Sequence, residues 1–293
     1  MDTRAASALQ NLSIGQVIKA AQLWLPEAET ARLDMEILIS RCLGKPRAWL
    51  LAWPDTCLTA AQAISLQNDL QRRAAGEPLA YVVGHKEFWS LSLEITPGVL
   101  VPRPETERLT ELALERVPVD QPWRIVDFGT GSGAIALAIA QERPCARVVG
   151  VDISRQATHL AKHNARCLEL NHVHFVQANW GSCLHYGCAE LIVSNPPYIA
   201  ENDPCLQNDG VRCEPDTALV SGPDGLRDIR TLTAQAAQIL RPGGWLLIEH
   251  GMTQGAAVRE ILANAKFDLP TTWQDYAGRE RISGGKMPDI PLA

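Results

Sequence analysis

The chain has 293 residues, 46% hydrophobic and 20% charged, which supplies a well-buried core and excludes a disordered chain. Its 27 Lys and Arg against 33 Asp and Glu leave a net charge of -6, which argues against a surface built chiefly to grip nucleic-acid phosphates and leaves room only for a local basic groove. No run of about 18 apolar residues is present, Met1–Gln10 lacks the form of a signal peptide, and the eight cysteines show neither a CxxC pair nor zinc-like spacing, so free thiols in the cytoplasm are expected.

Residues 1–80 predict a small helical bundle. Ile14, Val17, Ile18 and Ala21 fall at helical spacing, as do Ala28, Ala31, Met35, Leu38 and Cys42, and Pro26 divides the two runs. Thr59-Ala60-Ala61-Gln62 has the form of a capping box, and Gly76 stops the helix it opens. The bundle holds no obvious chemistry and reads as a docking or packing module. Residues 81–104 predict a connecting hairpin and linker, with Tyr81–Gly84 and Leu91–Ile95 as its strands and Pro97, Pro102 and Pro104 stiffening the exit.

Residues 105–293 open with a helix over 105–117 and then alternate. Arg124–Phe128, Arg147–Asp152, His172–Ala178, Leu191–Ser194 and Trp245–His250 are short apolar runs, with helical stretches at Ala134–Gln141, Ser154–Leu168 and Leu226–Leu240. That alternation predicts an α/β fold, a parallel sheet with helices on both faces. After Ser194, about 30 residues rich in Asn, Asp and Pro break the pattern, and long loops at strand ends usually carry function.

Asp127-Phe128-Gly129-Thr130-Gly131-Ser132-Gly133-Ala134 joins the first strand to the first helix, and its glycines let the backbone turn and approach a ligand closely. Asp152 ends the next strand, where a carboxylate can accept both hydroxyl protons of a ribose. The pair implies a nucleoside-containing cofactor. Gly129, Gly131 and Ala134 also satisfy the looser dinucleotide fingerprint. Asp127, two residues before Gly129, favours S-adenosylmethionine by lying near the place of the cofactor's methionine amino group.

Asn195-Pro196-Pro197-Tyr198 follows the fourth apolar run, at the end of a strand where crevices form in open α/β sheets. The prolines fix the backbone so that the Asn195 amide oxygen and the Pro196 carbonyl oxygen can take the two hydrogens of a planar NH2 group. Such a nitrogen is a poor nucleophile because its lone pair is delocalised. Holding its hydrogens lets it pyramidalise toward a methyl donor and stabilises the developing charge. Tyr198 can pack a flat group on its ring.

With Tyr81-Val82-Val83-Gly84, Glu87-Phe88-Trp89, Val101-Pro102-Arg103-Pro104-Glu105-Thr106-Glu107, Glu214-Pro215 and Gly222-Pro223-Asp224-Gly225-Leu226, these motifs resemble the release-factor glutamine methyltransferases (HemK-like, PrmC family) over nearly the whole chain. The resemblance implies a Rossmann-like class I methyltransferase domain over 105–293 with a seven-stranded sheet and S-adenosylmethionine as methyl donor. It also implies methylation of the glutamine side-chain nitrogen in the Gly-Gly-Gln motif of class-1 peptide chain release factors, with the 1–80 bundle recognising that substrate. Asp127, Gly129, Thr130, Gly131, Ser132, Gly133, Asp152, Asn179, Trp180 and Asn195 are then expected at the cofactor, and Asn195, Pro196, Pro197 and Tyr198 at the target amide. Two positions depart from the family pattern: Asn179 where Asp is frequent, and Cys213 where an aromatic commonly precedes Glu-Pro.

An adenine-N6 nucleic-acid methyltransferase shares the Asn-Pro-Pro-Tyr site and is the alternative, but the acidic balance and short C-terminal remainder count against it. A nicotinamide enzyme or a binding module without catalysis gives no reason for Asn195–Tyr198. His159 and His163 stand at a spacing that can bind zinc, but no third ligand is identifiable from sequence, so an exposed helix face and no metal are expected. His172 and His174 read as surface residues. Glu105 and Glu107 fit helix-start capping and dipole effects, with a substrate role left open. Neither membrane nor direct nucleic-acid binding is expected.

Overall fold

The computed structural model describes residues 9–289. The reading of Met1–Gln10 as no signal peptide falls mostly on residues outside these. Among the described residues no helix is long and apolar enough to cross a membrane. The chain divides into two compact units, residues 1–84 with 207–213, and 85–206 with 214–293.

The first unit is built of α1 (Ile14–Lys19), α2 (Ala21–Trp24), α3 (Ala31–Leu43), α4 (Arg47–Ala52), α5 (Ala60–Ala74) and α6 (Leu79–Val83). Capping boxes start two of them: Ser13 with Gln16, and Thr59 with Gln62. Ile14, Val17, Met35, Leu38, Ile39 and Leu66 are fully buried in a common core. Arg73 pairs with the buried Asp34 at 2.7 Å across α5 and α3.

Here one expectation fails. Tyr81–Val83 is not a strand but the end of α6. Its β-branched residues suggested extended chain, yet Val82 packs into the bundle core and Gly84 closes the turn in the left-handed conformation (φ 85°). Arg72 donates to the Tyr81 carbonyl at 3.1 Å, satisfying a backbone acceptor at the helix end. Residues 207–213 belong to this unit too, Gly210 N–H donating to the Gly76 carbonyl at 3.2 Å.

The second unit opens with a hairpin, β1 (His85–Phe88) and β2 (Leu91–Glu94), with Phe88 opposite Leu91. Its turn residues Trp89 and Ser90 both have positive φ, 52° and 59°, the conformation that suits the strand twist but is unusual without glycine. Glu107 compensates by accepting the Trp89 N–H at 3.0 Å.

Then follow α7 (Thr106–Leu114), β3 (Arg124–Phe128), α8 (Ala134–Glu142), β4 (Arg147–Asp152), α9 (Arg155–Cys167), β5 (His174–Gln177), β6 (Ala189–Ser194), α10 (Asp216–Leu219), α11 (Arg227–Ile239), β7 (Leu240–Glu249), α12 (Gly255–Asn264), β8 (Asp268–Gln274) and β9 (Glu280–Lys286). The sheet has seven strands in the order β5-β4-β3-β6-β7-β9-β8. It is mixed rather than parallel throughout: β9 runs antiparallel to both β7 and β8. β6 is buried at all six positions because both faces are covered, with Leu191–Val193 apolar and the buried Glu190 paired with Arg124.

Candidate active site

Sheet register gathers the site. β3 lies between β4 and β6, and Phe128 is level with Val151 on one side and Ser194 on the other. The next residue on each strand is therefore Gly129, Asp152 and Asn195. Three motifs far apart in sequence emerge side by side at the carboxyl edge of the sheet, where α/β folds place their crevices.

Gly129 and Gly131 take φ 70° and 56°, a region costly for any other residue. A Cβ on Gly129 would sit 3.4 Å from the Trp180 ring. Asp152 fixes the turn: its Oδ2 accepts the Gly131 N–H at 2.9 Å and its Oδ1 the Ser154 N–H at 2.8 Å. Burial raises the Asp152 pKa, and these two N–H groups oppose the rise.

Asp127 stands behind the loop, fully buried. Its Oδ2 accepts the Thr130 hydroxyl at 2.6 Å and the Ala136 N–H at 3.3 Å, which ties the glycine loop to the first turn of α8. Oδ1 has no hydrogen-bond partner, and burial lifts the carboxyl to a pKa of about 7.

In front of the loop lies a cavity of about 270 Å³. Gly129, Thr130, Gly131, Ser132, Asp152, Asn179, Trp180, Asn195 and Pro197 line it, as the sequence motifs lead one to expect. Asp127, Gly133, Pro196 and Tyr198 do not. Gly133 caps α8 and Pro196 is buried. The facing wall, which the sequence reading does not place at the cavity, is formed by Gly98–Leu100, Pro102, Thr106, Pro215, Thr217, Ala218, Arg227 and Asp228. An acceptor-only carboxylate, a glycine floor that a Cβ would crowd, and apolar surface from Trp180, Val99 and Ala157 fit a flat base joined to a vicinal diol. That is the adenosine part of S-adenosylmethionine.

Asn195 donates through Nδ2 to Thr106 Oγ1 at 3.1 Å, and its amide oxygen receives no hydrogen bond from the described residues. Thr106, 4% exposed at the start of α7, lies beside Glu249, 1% exposed at the end of β7. Burial raises the Glu249 carboxyl to about 7, and the Thr106 hydroxyl is the foremost influence resisting that rise. Thr106 Oγ1 accepts from the NH2 side of Asn195, so the amide oxygen is turned away from it.

Tyr198 is tied to the same carboxylate, Oη lying 3.5 Å from Glu249 Oε1, while its carbonyl accepts from Gln254 Nε2 at 3.0 Å. Burial, followed by the Glu249 charge, raises the Tyr198 pKa, so the ring stays neutral. Thr106 and Glu249 were missed from sequence as site residues. The Thr106 position lies inside the Pro102–Glu107 motif, which was a findable signal, whereas Glu249 closes an apolar strand and had none.

Three further motif residues are structural. Arg103 pairs with Glu214, whose side chain is fully buried and whose Oε1 accepts the Val101 N–H at 2.9 Å. Glu107 holds the hairpin turn, which accounts for its place without a substrate.

A profile described as a methyltransferase domain matches residues 120–280, and one described as the PrmC N-terminal domain matches 16–84. The release factor glutamine methyltransferase of Vibrio cholerae serotype O1 is 46% identical over 279 residues, 94% of this chain and 97% of its own. That of Escherichia coli strain K12 is 45% identical over 272 residues, 90% and 98% of the two chains. Among solved structures, a methyltransferase from Pyrococcus furiosus superposes with a TM-score of 0.51 at 18% identity, covering 68% of this chain and 90% of that one, which speaks for the fold. With near-complete coverage at such identity, the chain belongs to the release factor glutamine methyltransferases.

Proposed function

We propose that this protein transfers a methyl group from S-adenosylmethionine to the side-chain nitrogen of the glutamine in the Gly-Gly-Gln motif of class-1 peptide chain release factors, in the cytoplasm where those factors act. The observation that carries the reading is Asn195 at the cavity, with its NH2 side engaged by Thr106 and its amide oxygen unengaged. When bound, the cofactor supplies an electrophilic sulfonium methyl.

Asp152 takes the ribose hydroxyls, and Trp180 with Asn179 takes the adenine. Asn179 can accept from the adenine amino group through its amide oxygen, which makes the usual Asp dispensable there. Asn195 Oδ1 and the Pro196 carbonyl accept the two hydrogens of the glutamine amide. They orient its nitrogen and stabilise the positive charge that grows on it as the N–C bond forms. As the methyl–sulfur bond breaks and its electron pair stays on the sulfur as a thioether, the nitrogen sheds one of these hydrogens as a proton to water, leaving neutral N5-methylglutamine.

Asp127 serves from behind the loop by holding Thr130 and Ala136, and no direct contact with the cofactor is assigned to it. The helical unit takes the role of recognising the folded substrate. It exposes Leu23 at 85% and Trp53 at 59%, apolar side chains with no part in its core.

The test is transfer of labelled methyl into purified release factor, into the same factor with its Gly-Gly-Gln glutamine replaced by alanine, and into DNA. Label in the first alone is expected. Label in the alanine variant or in DNA overturns the proposal.

A further inference from the structure

We propose that Glu94, His163 and Cys167 form a surface site for a borderline-soft divalent cation such as zinc, separate from the methyl-transfer cavity. Sequence spacing had paired His163 with His159 and found no third ligand. The fold replaces His159 by two other groups.

His163 and Cys167 stand one turn apart on α9, and β2 brings Glu94 against them. His163 Nε2 lies 3.0 Å from Glu94 Oε2 and 3.3 Å from Cys167 Sγ, and all three ligand atoms lie within 4.8 Å of one another. A ring nitrogen carries one hydrogen or one lone pair, so it cannot serve a carboxylate and a thiol equally well. Both converge on it nonetheless, which is the arrangement expected around a common ion. Zinc bonds of about 2.0 Å to nitrogen or oxygen and about 2.3 Å to sulfur set tetrahedral edges of roughly 3.3–3.6 Å. Two edges are already within a few tenths of an ångström of this range. The third closes by rotation of the exposed Glu94 side chain.

The backbone under the site is fixed. Asn164, 1% exposed, accepts the Glu94 N–H through Oδ1 at 2.8 Å and donates through Nδ2 to the Glu94 carbonyl at 3.1 Å. The Glu94 backbone is thus already held against α9 by this clamp, so binding restricts only its side-chain rotation. Nδ2 also donates to the Ser132 carbonyl at 2.9 Å, so the clamp reaches the glycine loop. Binding releases the Cys167 thiol proton, and thiolate plus carboxylate neutralise the dication, with solvent completing the coordination. The ion would pin the hairpin to α9 from outside and play no part in methyl transfer.

The test uses the full-length, tag-free, reduced protein, titrated with zinc against a chromophoric chelator and, separately, with cobalt(II). One saturable equivalent is expected, with a near-ultraviolet sulfur-to-cobalt charge-transfer band. Loss of a supporting hydrogen bond alone costs a metal site roughly 10–100-fold in affinity, so Cys167→Ser and His163→Gln should each lose at least that much. Cys167→Ser should also abolish the band, and Cys145→Ser, at another exposed cysteine, should change nothing. Zinc should raise the melting temperature of the parent and not of Cys167→Ser. Absence of a saturable equivalent, meaning an ion pair and a thiol contact only, overturns the proposal. So does a cobalt band that survives in Cys167→Ser.

Discussion

Thr106→Val tests the orientation of Asn195 most directly, because it keeps the side chain's shape and removes the acceptor of the Asn195 Nδ2 hydrogen bond. A neutral bond of this kind is worth about 0.5–1.5 kcal/mol net. At 1.36 kcal/mol per factor of ten, its loss slows transfer roughly 2- to 13-fold if all of it bears on the transition state. Asn195→Ala removes the acceptor of the target amide itself and should cost more, roughly 10²–10³. Thr106→Ser keeps the hydroxyl and should recover most of the rate. The assay is single-turnover methyl transfer with saturating cofactor and release factor, beside calorimetric cofactor affinity, which should change little in any of the three. Parental rates in Thr106→Val, or equal losses in Thr106→Val and Thr106→Ser, refute the reasoning that Thr106 sets which end of the amide faces the substrate.

The buried Asp127 carboxyl, raised to about 7, binds its proton more tightly in the folded than in the unfolded chain. Stability should therefore fall as pH rises from about 4 toward 7, by on the order of 1 kcal/mol per pH unit from this group, and urea unfolding of Asp127→Asn should show a flatter dependence; an unchanged slope counts against the assignment. Glu249, also raised to about 7, is the better acceptor for the Tyr198 hydroxyl when ionised, so turnover should drop as pH falls through about 7 in the parent and less in Glu249→Gln, as read from single-turnover rates across that range. Asp152→Ala should weaken cofactor binding by about 1.5–3 kcal/mol, the worth of a charge-assisted hydrogen bond, and unchanged calorimetric affinity would sink its role at the ribose. Trp53→Ala should lower methylation of intact release factor while sparing a short Gly-Gly-Gln peptide, and equal effects on both would remove the helical unit from recognition.

The local signals that were legible in the sequence were those with a short-range cause. The capping box at Thr59, the glycine loop and the apolar Leu191–Val193 of β6 each follow from neighbouring residues, and register then carries Gly129, Asp152 and Asn195 together without further information. The sheet's far edge was not legible, for a physical reason. β9 contains Gly284 and Gly285, and a Cβ on Gly284 would come within 2.4 Å of the Leu246 carbonyl oxygen on the neighbouring strand. Close approach to β7 demands glycine there, and glycine erases the apolar alternation by which a strand is recognised. Tyr81–Val83 fails in the opposite way. Its composition suggests a strand, but burial of Val82 in the bundle and the left-handed Gly84 outweigh a propensity worth a fraction of a kilocalorie per residue.

The Asn195–Thr106–Glu249 arrangement shows where sequence reading of the site itself runs out. The three residues come from the end of β6, the start of α7 and the end of β7, and only Asn195 announces its chemistry by its neighbours. Thr106 stands between two glutamates at a helix start, where capping is explanation enough. Glu249 stands near the end of the predicted run Trp245–His250, where nothing in its neighbours announces a buried carboxyl, yet it is 1% exposed. Burying a carboxylate is costly unless hydrogen-bond donors reach it; here Tyr198 Oη lies 3.5 Å from Oε1, and Oε2 has no hydrogen-bond partner among the described residues. That cost is the signal, and it exists only once the chain is folded. Asn195 is tied to Thr106 and Tyr198 to Glu249, so each end of the motif has its own side-chain anchor from another element at the tip of a strand where the ladder has already ended.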